Sequence, residues 1–177
     1  NMMSNNITIR DCESNDIEYI TNIYNYYINL IDDVTTFEEI PITVIEMMER
    51  FSKLKSLHYP FIVAVDSDNI IVGYAYSGMY KPRSAYRFSA EDSVYIHPEH
   101  TGKGIGSLLL KELLDLLSGM GIKQVIAVLG TKQDNPGSYA LHKKFNFIEV
   151  GIYKNIGYKH GVWVDRLHMQ CTLDDKA

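Results

Sequence analysis

Residues 101–106 read Thr-Gly-Lys-Gly-Ile-Gly and lie between an apolar run ending at Ile96 and a leucine-rich segment beginning at Leu108. Glycines let a backbone approach a ligand closely, and the first free N–H groups of a helix, with its positive dipole end, point at a bound anion. The ligand suited to Thr101, Gly102, Lys103, Gly104, Ile105, Gly106 and the following Ser107 is therefore a phosphate or pyrophosphate. The spacing is Gly-x-Gly-x-Gly, which matches neither a Walker A loop nor a dinucleotide fingerprint. By themselves the glycines also fit a plain tight turn. Three further groups carry chemistry: the adjacent carboxylates Glu91 and Asp92, His142, and the basic pair Lys81 and Arg83. Strand alternation points Glu91 and Asp92 in opposite directions. Histidine titrates near neutrality and can exchange a proton, though capping or packing explains His142 equally well. Lys81 and Arg83 could hold a carboxylate, arginine through a bidentate fork, or could form a solvated basic loop.

The elements that must position these residues follow from periodicity. Ile7 to Arg10 reads as a short strand. Asn15 with Glu18 marks a helix start, and Ile17, Ile20, Tyr24, Tyr27, Ile28 and Ile31 continue it at helical spacing. Thr43 with Glu46, just after Pro41, predicts a second capped helix whose apolar face holds Val44, Met47, Met48, Phe51 and Leu54. Phe61 to Val65 and Ile70 to Met79 are β-rich runs joined by Asp66-Ser67-Asp68-Asn69, a hairpin signal. Phe88 to Ile96 is a strand that His97-Pro98 ends. Leu108, Leu109, Leu113, Leu116 and Leu117 make the face of the helix after the glycine turn, which ends near Gly119 and Gly121. Gln124 to Leu129 completes a βαβ unit with parallel strands. Asn135 caps a further helix with Pro136 at its first position, and Asn146 ends it. Phe147 to Tyr153 and Val162 to Thr172 are the last strands.

Composition narrows the class. A chain of 177 residues, 46% hydrophobic, predicts one domain, taken as 2–177. The net charge of −5, without a basic block, argues against nucleic acid as partner. Cys12 and Cys171 have no metal-ligand spacing, so neither a disulfide framework nor a metal site is expected. No apolar run approaches the roughly 20 residues of a membrane span, and no secretory signal is evident, which predicts a cytoplasmic protein.

In this order the elements resemble the GNAT acetyltransferases across nearly the whole chain. The turn from Thr101 to Gly106 occupies the place of that family's acyl-CoA pyrophosphate loop, and Asn135, Ser138, Leu141 and Phe147 match its second cofactor motif. A closer resemblance is to the phosphinothricin or methionine sulfoximine N-acetyltransferase branch. It rests on Thr36-Phe37, on Lys81 through Tyr86, on Glu91 through Ile96, and on Gly157 through Asp165. Two positions depart from the family: Thr101 stands where Gln or Arg is usual, and His142 stands where many members have tyrosine, although histidine also occurs in this branch.

The resemblance implies an α/β (α+β) GNAT fold, with a mixed central sheet, antiparallel at its N-terminal part, and a parallel βαβ cofactor unit flanked by helices. It implies acetyl-CoA as co-substrate, a small amino-acid-like acceptor and a homodimer with the Gly157 to Asp165 segment near the shared site. Glu91 is the expected base for the acceptor ammonium. A backbone N–H among Val94, Tyr95 and Ile96 is expected at the developing oxyanion. His142 is the candidate proton donor to the thiolate, with Tyr139 as a weaker one. Phe37, Lys81, Arg83 and Tyr86 are expected at the acceptor. Two other readings stay open: transfer to another amine or a protein N-terminus, and a non-catalytic acyl-CoA sensor.

Overall fold

The computed structural model of the protein describes residues 6–30 and 34–174. Among these, seven strands form one sheet: β1 (Thr8–Asp11), β2 (Phe61–Val65), β3 (Ile71–Met79), β4 (Ser89–Ile96), β5 (Gln124–Leu129), β6 (Ile148–Lys159) and β7 (Val162–Thr172). Four α-helices accompany them among the same residues: α1 (Ile17–Asn29), α2 (Val44–Ser56), α3 (Ile105–Gly119) and α4 (Pro136–Lys144). The strand order is β1-β2-β3-β4-β5-β7-β6, and β4 with β5 is the parallel pair. The expected mixed sheet, antiparallel toward the N-terminus with a parallel βαβ unit, is therefore present.

Alternation along the strands splits the core between the two faces of the sheet. In β2, Ile62 and Ala64 meet Leu109, Leu113 and Leu117 of α3, while Phe61, Val63 and Val65 meet Ile17, Ile20 and Ile28 of α1 and Phe51 of α2. A strand buried on both sides reads as an unbroken apolar run, and β2 does.

Most local signals act as their chemistry requires. The Thr43 hydroxyl accepts from the Glu46 N–H at 3.1 Å, although the Glu46 carboxylate turns away to Arg50, 2.8 Å distant. Asp66 Oδ1 accepts from the N–H groups of Asp68 and Ile70, closing the β2–β3 hairpin around Asn69 at φ 63°. Asn146 takes the left-handed conformation that ends α4, at φ 67°.

Several expectations need correction. α1 begins not from Asn15 but from Asp16, after a short 3-10 turn. The Asp16 carboxylate accepts from the Glu13 N–H and is clamped by both Arg10 guanidinium nitrogens, at 2.7 and 3.0 Å. The turn from which α1 leaves is thus fixed by Arg10 and by the reciprocal Glu13–Asp16 contact, six and three residues away. Val44 and Leu108 sit at 42% and 43% exposure, outside the apolar faces assigned to them. Ile31 lies outside the described residues. The strand expected to end at Tyr153 continues to Lys159, because β7 runs beside it through Lys159 opposite Val162.

Leu113 is fully buried between α3 and the sheet. Leu113→Ala is expected to lower the free energy of unfolding by about 2–5 kcal/mol, as urea titration would measure. A loss below about 1 kcal/mol would show that α3 does not carry the core.

Candidate active site

β4 keeps both neighbours only over its first residues. On one edge β3 accompanies it through Gly73 opposite Ile96. On the other edge the ladder to β5 holds Ser89, Ala90 and Glu91, and ends there. Past Glu91 the two parallel strands part, and the opening is a cleft in two connected portions that share Val94, Tyr95, Asn135 and Ser138 as walls.

The narrower portion, about 510 Å³, is built by the glycine turn. Gly102 and Gly104 have φ of 73° and 80°, a left-handed backbone that side chains resist, and Gly104 is the residue from which α3 starts. Gly102, Gly104 and Gly106 line this groove with Thr101, Ser107 and Ile96. At Gly106 an added Cβ would stand 3.2 Å from Leu141 on α4, so glycine keeps the two helices close. Ile105 sends its side chain into the core and has only its amide to offer. Lys103 is exposed, away from the groove walls, whereas Lys144 borders the groove and donates to the Ser107 hydroxyl at 3.0 Å. On α4, Asn135 caps Ser138 at 3.4 Å, holding the helix start against the cleft.

The wider portion, about 780 Å³, brings together Glu91, His142, Phe37 and Lys81 of the expected residues, and adds Asp92, Arg166 and Tyr24. Arg83 and Tyr86 lie outside the walls of both portions. Tyr86 instead meets Tyr80 edge-on at 5.6 Å, and it is Tyr80 that borders the cleft, with the Lys81 ammonium 5.5 Å from its ring. Alternation does send Glu91 and Asp92 to opposite faces, but both reach the cleft because the sheet is open at this point. Asp92 is buried and its Oδ2 lies 2.7 Å from His142 Nε2.

A roof over the cleft comes from the segment between α1 and α2, and the β6–β7 hairpin holds it. Arg166 donates to the Val34 carbonyl and lies 3.7 Å from the centre of the Phe37 ring. Buried Lys159 donates to the Thr36 carbonyl at 2.6 Å. Gly157 passes so near Phe37 that an added Cβ would fall 2.4 Å from the ring. The Tyr24 hydroxyl lies 3.0 Å from Thr36 Oγ1 and donates to Glu38, which Arg50 holds from α2.

Burial raises the Glu91 carboxyl above its ordinary range, the neighbouring Asp92 charge adds to this, and Arg166 opposes it. Burial also acts on His142, lowering it, but the Asp92 charge and the hydrogen bonds to Asp92 and Ser138 outweigh burial and leave it raised. A half-buried carboxyl that keeps its proton above the usual carboxylate pH and borders a cleft is poised to exchange protons with a bound molecule.

The sequence profile of the Acetyltransferase (GNAT) family matches residues 26–147. The chain belongs to the GNAT acetyltransferase family. It is 38% identical over 167 residues to a phosphinothricin N-acetyltransferase of Alcaligenes faecalis, covering 94% of this chain and 83% of that protein. It is 30% identical over 171 residues to an L-methionine sulfoximine/L-methionine sulfone acetyltransferase of Salmonella typhimurium, covering 97% of each. Among solved structures, a GNAT superfamily phosphinothricin acetyltransferase from Sinorhizobium meliloti in complex with AcCoA superposes with a TM-score of 0.90 at 41% identity, over 96% of this chain and 90% of that one.

Arg166, Lys144 and the Asp92–His142 contact escape a reading of the sequence. Each joins residues from separate elements, and no local spacing marks them. The one available hint is Ser138 four residues before His142, which puts both on one face of α4.

The raised Glu91 carboxyl has a consequence for stability. Protons bind it more tightly in the folded state than in the unfolded state, so its contribution is complete below the unfolded carboxyl pKa and lost as pH rises through the folded one. Glu91→Gln is therefore expected to raise the Tm at pH 8 relative to the parent protein, with the gain shrinking toward pH 4. Calorimetry across that range checks it, and a gain independent of pH would contradict the buried-carboxyl account.

Proposed function

We propose that this GNAT enzyme transfers the acetyl group of acetyl-CoA to the α-amino group of a small amino-acid-like acceptor of the phosphinothricin, methionine sulfoximine or methionine sulfone type. The observation that carries the reading is the single cleft past Glu91, in which a glycine-built groove meets a half-buried carboxyl. The groove suits acetyl-CoA: it offers free amides at the start of a 15-residue helix, a lysine at its rim, and the unpaired edge of β4. The names of the relatives agree with both the acceptor class and the co-substrate.

Acetyl-CoA supplies an acyl group activated as a thioester. The amides from Thr101 to Gly106 hold its diphosphate, and Lys144 adds charge. Thr101 leaves this work to the backbone. Val94 and Ile96 turn main-chain groups to the open edge of β4, where an N–H stabilises the oxyanion, while Tyr95 pairs with Tyr74 across β3. Asn135 and Ser138 wall the passage between the two portions. Glu91 takes one proton of the acceptor ammonium, directly or through water. The amine forms its N–C bond, the C–S bond breaks to release the thiolate, and the second proton lost by the nitrogen passes to that thiolate. Lys81 and Arg166 supply positive charge for an acceptor carboxylate, and Phe37 packs on its apolar part. Arg83 and Tyr86 stand back from the cleft and support the loop that carries Lys81.

The protein acts as a homodimer in this reading. Tyr158 and Trp163 pack together at 4.9 Å on the β6–β7 hairpin, each more than half exposed, and Ile152 and Val162 are further exposed apolar residues of the same hairpin. Patches of this kind on soluble proteins mark interaction sites. A cytoplasmic location fits two buried cysteines that remain free thiols. The negative net charge favours a small-molecule acceptor over nucleic acid.

Thiol release from acetyl-CoA, measured across amino acids that include methionine sulfoximine and phosphinothricin, is expected to show turnover on these acceptors. Glu91→Gln should lower kcat by about 10²- to 10⁴-fold while acetyl-CoA affinity is kept. No turnover on any amino acid would reject the acceptor class, and binding of acetyl-CoA without turnover on any amine would favour a sensor. Sedimentation should return a dimer for the parent protein and a monomer for Trp163→Asp; a monomeric parent would remove the dimer.

A further inference from the structure

The His142 ring is held between two acceptors. Its Nδ1 lies 2.7 Å from the Ser138 carbonyl oxygen and its Nε2 lies 2.7 Å from Asp92 Oδ2. A carbonyl can only accept, so the nearer contact puts a proton on Nδ1, and the Ser138 hydroxyl, 3.4 Å from the same nitrogen, is the more distant one. A neutral imidazole would then present a bare Nε2 to a carboxylate, two acceptors face to face. A proton must therefore sit between them on a 2.7 Å axis, and the Asp92 charge and hydrogen bond strengthen the hold of the imidazole on it. The pair is closed to solvent: the two side chains are 3% and 1% exposed. The edge of the ring rests against Phe147 at 4.8 Å, which fixes its plane. The second Asp92 oxygen, Oδ1, is buried without a hydrogen-bond partner among the described residues, so the ring supplies the visible compensation for the carboxylate charge.

We infer that Asp92 is a positioning residue that keeps His142 as a fixed imidazolium, making it a permanent positive charge in the floor of the cleft and not the proton donor to the departing thiolate. A donor must release its proton once per turnover, and this one is gripped at both nitrogens. What the imidazolium does is balance Asp92, so that Glu91, next in the chain, can ionise beside a carboxylate that is already neutralised. The remaining titratable groups around the pair are Glu91 on β4 and Arg166, His168 and Cys171 on β7; β5 adds only the apolar Val128 and Leu129 to the cleft. The inference about the ring stands on geometry alone, while its effect on catalysis rests on Glu91 being the base, as proposed above.

The test uses the intact protein with ¹⁵N-labelled histidine, the His142 signal being assigned by its disappearance in His142→Gln. Both ring nitrogens of His142 are expected to be protonated at pH 7.5. A signal from one protonated and one bare nitrogen at that pH overturns the inference, whether or not the protein turns over any acceptor. In Asp92→Asn the ring should become neutral at pH 7.5, since burial then acts unopposed by a carboxylate. In the rate profiles, the acidic limb of kcat/KM should stay near that of the parent in Asp92→Asn, which removes the carboxylate and the imidazolium charge together. It should move to higher pH in His142→Gln, which leaves Asp92 unbalanced. A merely structural role would lower the amplitude in His142→Gln and leave its limb where the parent has it, and that result would also overturn the inference. If neither variant folds, the His142 signal is assigned in the labelled parent protein from its ring contact with Phe147, and its protonation is read there.

Discussion

The separation of β4 from β5 beyond Glu91 is the constraint on which the site depends. A parallel pair that stayed zipped would satisfy its own amides and carbonyls and would leave no space between the strands. By parting, the strands expose one edge of β4 to a ligand while β3 keeps the other edge in the sheet. Neighbouring elements hold the gap open. β7 pairs with the whole of β5, from Gln124 to Leu129, and α4 stands across the gap with its capped N-terminus at the shared wall. The opening thus has a strand edge on one side and a helix on the other.

Around that opening the two faces of the sheet contribute different chemistry. The α1 and α2 face brings Tyr24, Thr36, Glu38 and Phe37, together with Glu91. The α3 and α4 face brings Asp92 and His142, and the glycine turn that starts α3. Because side chains on a strand alternate between faces, two adjacent carboxylates can be given opposite environments, and only an open sheet lets both border the same space. Glu91 lies beside Arg166, while Asp92 is locked to an imidazole.

The β6–β7 hairpin couples the roof of the cleft to the edge of the sheet. Lys159 and Arg166 hold the carbonyls of Thr36 and Val34, the His160 N–H reaches Glu39 at 3.2 Å, and Gly157 makes room for Phe37. Buried cations are tolerated there because carbonyl oxygens and an aromatic face receive them. The outer side of the same hairpin carries the exposed Tyr158 and Trp163.

Local chemistry was readable directly. The period of apolar residues located α3 and the strands around it, Thr43 and Asn135 announced their helices, and three alternate glycines before a leucine-rich face announced the tight turn that opens α3. Those signals are local because backbone conformation and helix capping depend on residues a few positions apart. Asn15 failed as a helix start for the opposite reason: Arg10, six residues before Asp16, captured that carboxylate. The pairing of Asp92 with His142 spans 50 residues, and the contact of Arg166 with Val34 spans 132. The sequence by itself determined which residues could bind phosphate or move a proton. Which of them share a cleft, and which carboxylate meets the histidine, was decided by where β4 leaves β5, because that point is set by the packing of the whole sheet and by no spacing along the chain.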